Sequence, residues 1–307
     1  MSIESSLPVV DLRDARTDRQ RFVQTLGEGL SDLGFVAVVG HPIDEALLSR
    51  CYAAAARVFA LPEPLKREYE DVAAGRQRGY TPFGIEKAKD QNVFDLKEFW
   101  QLGRELPDTH PYRLDGRIPE NRFPAEVPEF GEVFREYFLR CEEVAQMLLA
   151  AIGEYLALPE GTFAALTRDG NTVARVLYYP DTAGSGAAGA VRAAAHEDIN
   201  LITLLPASTK PGLELLTRDG RWTPAVVPPN TLVVDTGDMM QHLTAGRLPA
   251  TTHRVVNPEA SDGGRYSLPF FVHPHPDAWL TPSDPAFGPP VRAGDMLAER
   301  LRAIGVA

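Results

Sequence analysis

A histidine and an aspartate two residues apart, His196 and Asp198, stand at the head of a β-rich stretch. Side chains at i and i+2 of a strand point to the same face. The pair can therefore converge on one point while Glu197 points away. A neutral imidazole beside a carboxylate suits iron(II). The third donor must come from a distant strand, and His253 in Thr252-His253-Arg254-Val255 is the candidate. Two histidines and one carboxylate fill one face of an octahedron and leave positions for a co-substrate and dioxygen. Further on, Arg265 and Ser267 put a guanidinium fork and a hydroxyl on one strand face, a clamp for a carboxylate. Tyr179 offers that clamp a phenolic donor.

Each element alone is weak. His-x-Asp arises by chance, a lone histidine is more often structural, and Arg-x-Ser more often marks a surface strand. The ordered set carries the argument. His41, His110, His242, His273 and His275 have no partner at ligand spacing and are read as non-ligands. Asp238, in Thr236-Gly237-Asp238, is read as a turn carboxylate bonded to backbone N–H groups. Trp100, Trp222 and Trp279 are read as core or rim.

The elements that must position these groups are legible in outline. Leu7 to Asp11 reads as an opening strand. Thr17 and Gln20 form a capping box for a helix carrying Phe22, Leu26, Leu30 and Leu33, stopped by Gly34. A strand over 35–39 and a helix over about 44–59 follow. Pro and Gly punctuate residues 72–128. The spacing of Phe134, Phe138, Cys141, Ala145, Leu148, Ile152 and Tyr155 predicts one long helix over about 130–156. From Val173 the texture changes to short β-rich runs at 173–179, 199–205, 213–217, 231–235, 252–256 and 265–272. That spacing suggests a sandwich or jelly roll. The Gly- and Ala-rich stretch 183–195 reads as a flexible loop beside the site, with Arg192 its charged residue. The expected divisions are 1–128, a helix and strand region packed on the core; 129–172, the long helix and a connector; 173–275, the jelly-roll core; and 276–307, a C-terminal extension with a terminal helix.

Bulk properties exclude some classes. A net charge of −11 without a Lys/Arg run argues against nucleic acid, which needs a basic face. No apolar stretch is long enough to span a bilayer and none reads as a signal peptide, so the expectation is a cytoplasmic protein acting away from membranes. Cys51 and Cys141 are expected to be reduced core residues.

These motifs resemble the isopenicillin N synthase-like branch of the iron(II)/2-oxoglutarate-dependent dioxygenases over nearly the whole chain. Leu7-Pro8-Val9-Val10-Asp11, Gly34-Phe35, Gly40-His41-Pro42-Ile43, Phe59-Ala60-Leu61-Pro62 and Arg78-Gly79-Tyr80 look like the family's N-terminal motifs. The C-terminal half is the specific part. It comprises His196-Glu197-Asp198 with Leu201 to Leu205, Gly237-Asp238, His253-Arg254-Val255 and Arg265-Tyr266-Ser267. Leu177 stands where many plant members carry Asn, and Pro42 replaces the usual Gly. The resemblance implies a mainly β fold with surrounding helices, a distorted double-stranded β-helix (jelly roll). It also implies iron ligation by His196, Asp198 and His253, and a clamp of Arg265, Ser267 and Tyr179.

Three readings of function compete. The leading one is an oxygenase using Fe(II), 2-oxoglutarate and O2 to oxidise a small molecule by hydroxylation, desaturation or ring closure, releasing succinate and CO2. The second is an oxidase like isopenicillin N synthase, whose clamp holds the substrate's own carboxylate. The third is a non-catalytic metal- or ligand-binding jelly roll. A monomer or weak homo-oligomer is expected.

Overall fold

The computed structural model describes residues 6–85, 95–181, 192–256 and 263–303. Strands β1 (Val9–Asp11), β2 (Phe35–Val39), β3 (Gly79–Thr81) and β4 (Glu98–Gly103) come from the N-terminal third. They are followed by β5 (Val173–Tyr179), β6 (Ala193–His196), β7 (Ile202–Pro206), β8 (Leu213–Leu216), β9 (Trp222–Pro224), β10 (Leu232–Thr236), β11 (His253–Val255), β12 (Arg265–Ser267) and β13 (Phe270–Val272). The larger sheet runs β1-β2-β10-β7-β13-β5-β4-β3, with β12 also on β5; the smaller runs β6-β11-β8-β9.

Alternation along β5 explains how the layers stack. Leu177 and Tyr179, with Phe99 of β4, pack against Ala193 and Val255 of the smaller sheet. The opposite side, Ala174 and Val176, joins the main core built on the helix Pro128–Tyr155. Two facing sheets with helices on one outer face form the expected double-stranded β-helix.

The long helix buries its predicted stripe, Phe134, Phe138, Cys141, Ala145, Leu148 and Ile152, and Phe138 meets Phe270 edge-on at 5.0 Å. Tyr155 at its end is half-buried and lies over Gly27, where a Cβ would come within 2.1 Å of its ring. Position 27 thus has room only for glycine. Cys51 and Cys141 are free and buried, and burial pushes the Cys51 thiol up to about 12. Trp100 is fully buried, whereas Trp279 is exposed. Among the described residues no helix is long and apolar enough to cross a membrane.

Several boundaries shift for identifiable reasons. The helix Arg19–Leu33 is capped by Asp18, whose carboxylate accepts from Arg21 N at 3.2 Å, not by Thr17, which closes a separate turn, Asp14–Thr17. Gly34 does end it, at φ +73°. The run 265–272 is two strands, because Pro269 has no N–H to give a ladder. Residues 238–243 form a short helix. Of the Gly- and Ala-rich stretch, residues 183–191 lie outside the described residues, while Ala193 to Ala195 belong to β6 and Arg192 is buried.

Candidate metal centre and carboxylate clamp

His196 and His253 face each other across the β6–β11 ladder as direct register partners, with ring centroids 4.4 Å apart. Asp198 completes the group: its Oδ1 lies 3.8 Å from Nε2 of each histidine. One ligand atom from each residue fits within 4.8 Å of the other two. The route to this convergence differs from the strand argument. β6 ends at His196, and Asp198 sits in the loop that follows. That loop is pinned from below. Asp238 N–H donates to Asp198 O at 2.7 Å, and Gly237 N–H donates to Leu201 O at 3.1 Å. A Cβ on Gly237 would meet Asn200 O at 2.5 Å and Asp198 O at 2.7 Å, so the approach requires glycine.

Backbone carbonyls set both imidazoles. His196 Nδ1 lies 2.7 Å from Ala194 O, and His253 Nδ1 lies 3.2 Å from Thr251 O. A carbonyl only accepts, so each Nδ1 carries the proton and each Nε2 turns its lone pair inward. Burial, followed by the neighbouring His196, lowers the pKa of His253 to about 4, so its ring is neutral at pH 7. The carboxylate is held as well. Asn200 Nδ2 donates to Thr203 Oγ1 at 2.9 Å, and the Thr203 hydroxyl donates to Asp198 Oδ2. Oδ1 is left to face the imidazoles. Glu197 points elsewhere, accepting from the Thr252 hydroxyl. Two neutral imidazoles and a carboxylate oxygen form the donor set that suits iron(II) with open positions.

Arg265, Ser267 and Tyr179 are all buried. Arg265 pairs in register with Tyr179, its Cζ 5.2 Å from the phenol centroid, and Ser267 lies opposite Leu177. Arg265 Nε donates to Lys210 O at 3.0 Å and Nη2 to Ser208 Oγ at 2.7 Å, whereas the buried Nη1 has no partner among the described residues. Burial lowers the pKa of Arg265. A buried guanidinium with one donor unspent fits an incoming carboxylate.

A cavity of about 420 Å³ opens beside the triad, lined in part by Phe99, Gln101, Arg175, Phe271 and His273. Leu297 and Arg300, of the terminal helix Ala293–Ala303, close one side. Arg300 is paired with Asp238. This corrects the turn reading of Asp238, whose carboxylate serves a helix 62 positions away rather than backbone N–H groups. His273 and Thr203 carry no metal-ligand spacing, and Gln77 lies in an irregular stretch. The available signal for His273 was its position two residues after Phe271, which places both on the inner face.

Residues 7–126 match the family described as non-haem dioxygenase in morphine synthesis, N-terminal, and residues 170–274 match the 2OG-Fe(II) oxygenase superfamily. A 2-oxoglutarate-Fe(II) type oxidoreductase of Emericella nidulans is 32% identical over 266 residues, 84% of this chain and 76% of its own. A proline hydroxylase of Petromyces alliaceus is 30% identical over 279 residues, covering 87% and 85%. The crystal structure of a 2OG-Fe(II) oxygenase family protein from Caulobacter crescentus superposes with a TM-score of 0.87 at 37% identity, covering 98% of this chain and all of that one.

Proposed function

Because the chain belongs to the 2OG-Fe(II) oxygenase superfamily, we propose that His196, Asp198 and His253 hold its iron(II), and that Arg265, Ser267 and Tyr179 grip the distal carboxylate of 2-oxoglutarate. The protein is an oxidoreductase that oxidises a small organic substrate. With iron(II) and 2-oxoglutarate bound, the site supplies the oxidant derived from O2, and the co-substrate leaves as succinate and CO2.

The chain's own contribution is orientation and desolvation. Carbonyl-bonded Nδ1 atoms keep both Nε2 lone pairs directed at the metal position. Thr203 occupies Asp198 Oδ2 so that Oδ1 serves as the ligand atom. Arg265 brings a pre-aligned donor to the carboxylate, and burial of the whole clamp excludes competing water. One observation carries the 2-oxoglutarate reading. The cavity is lined by His196 and Asp198 but by none of Arg265, Ser267 and Tyr179. A clamp set apart from the cavity wall suits a co-substrate carboxylate and leaves the cavity for a separate substrate.

The test is oxygen uptake by the iron-loaded protein with and without 2-oxoglutarate, with succinate measured alongside. Uptake that needs 2-oxoglutarate and yields succinate is expected. Equal uptake without it would transfer the clamp to the substrate's own carboxylate. The same reading has the protein working in the cytoplasm, as a monomer or weak homo-oligomer, without nucleic acid. The net charge of −11 and two buried free cysteines support it.

A further inference from the structure

Two side chains on the cavity wall, His273 and Gln77, have no part in the chemistry above, yet their hydrogen-bonding polarity is fixed. His273 Nδ1 lies 3.3 Å from Phe271 O, so Nδ1 donates and Nε2 keeps its lone pair. Among the described residues Nε2 has no hydrogen-bond partner. Burial lowers the pKa of His273 to about 4, and the ring is a neutral acceptor at pH 7.

Gln77 is set by a longer chain of logic. Arg78 is fully buried, and a guanidinium can only donate. Its Nη2 donates to Asn171 Oδ1 at 2.9 Å, which turns Asn171 Nδ2 toward Gln77 Oε1 at 3.1 Å. Gln77 Nε2 is thereby turned outward as a donor. Arg78 fits because residue 103 is glycine, where a Cβ would come within 2.0 Å of Nη2. Burial lowers its pKa to about 10, so it remains charged at pH 7 and the amide orientation persists. Asn171 N–H also donates to Pro274 O at 3.2 Å, tying the amides to the His273 segment.

Three cations of the wall are matched, Arg300 by Asp238, Lys97 by Asp95 and Arg76 by Glu70, and the Glu197 carboxylate accepts from the Thr252 hydroxyl. Arg175 lies over Phe99 and is held by Gln101. Phe99, Phe271 and Leu297 offer apolar surface for a carbon skeleton. We infer, resting on the oxygenase reading above, that the cavity selects a neutral small molecule with an N–H or O–H donor beside a carbonyl acceptor, a lactam or hydroxylated heterocycle. His273 Nε2 accepts from its donor and Gln77 Nε2 donates to its carbonyl.

The test uses 2-pyridone and N-methyl-2-pyridone, which differ only at the donor, titrated by ligand-observed NMR. The protein is loaded with zinc(II), which cannot turn over, and with 2-oxoglutarate. In the wild type 2-pyridone should bind at least about tenfold tighter, because the methylated probe leaves a buried acceptor unpaired. His273→Phe should abolish that preference with 2-oxoglutarate binding and melting temperature unchanged. Gln77→Leu should weaken both probes and keep the preference. Equal wild-type affinities, no saturable binding of 2-pyridone, or a preference that survives His273→Phe would overturn the inference. Failure of the wild type to bind 2-oxoglutarate would overturn instead the function on which it rests.

Discussion

Asp235→Asn should make the apoprotein's stability less sensitive to rising pH. Asp235 lies on β10 opposite Thr203, is buried, and its Oδ2 has no hydrogen-bond partner among the described residues. Burial, reinforced by the neighbouring Asp198, raises its pKa well above the ordinary 3.8. From that value upward the unfolded chain releases the proton while the folded protein keeps it. Stability therefore falls as pH rises, until the folded carboxyl itself ionises. Each pH unit in that window removes about 1.4 kcal/mol. For 307 residues the unfolding entropy is roughly 0.6 kcal/mol per degree, so two pH units correspond to about 4 °C. Asparagine has no proton to hold. The melting temperature of Asp235→Asn relative to wild type should thus climb as pH rises from about 4 to 7, by about 2 °C for each unit over which the folded carboxyl keeps its proton. Differential scanning fluorimetry in chelator measures it. A difference that stays constant across that range would refute a buried, protonated Asp235.

Asp198→Ala should abolish activity and iron binding yet leave the melting temperature of the apoprotein in place; full activity would remove it from the triad. Arg265→Ala should raise the KM for 2-oxoglutarate at least about tenfold, since losing one partner of a desolvated charge pair costs about 2–5 kcal/mol. Arg265→Lys should recover only part of that, because the fork is lost, and an unchanged KM would refute the clamp. Thr203→Val should weaken cobalt(II) binding about 10- to 100-fold by freeing Asp198 Oδ2, whereas Thr203→Ser should bind normally. Identical cobalt(II) affinity and visible spectrum in the valine variant would refute the positioning role.

The cluster of His196, Asp198 and His253 and the buried group of Arg265, Ser267 and Tyr179 were legible because residue type and spacing together restrict chemistry. Arg265 and Ser267 do share a strand, and Arg265 does face Tyr179. The period-2 argument for Asp198 reached the right neighbourhood by the wrong path, since β6 stops at His196. What bends the chain there is Gly237, whose role depends on a contact that sequence does not display. Asp238 was misread for a related reason: Arg300 meets it only after the terminal helix folds back. His273 has no partner at ligand spacing, the pattern that marks a histidine as a metal donor. An acceptor in a substrate wall needs no such partner, only a neighbouring carbonyl and a place on the inner face.

The last strand of the larger sheet, β13, lies in its middle, between β7 and β5. Until residues 270–272 leave the ribosome, both of those neighbours present bare backbone edges, which invite pairing with other chains. At about 5–20 residues per second, β5 waits roughly 5–20 s for its partner. Nascent chains stalled or truncated just before Phe270 would therefore carry two sticky edges together with all three metal donors. The yield of soluble protein should depend on how quickly synthesis passes that point, or on a chaperone that covers the gap until it does.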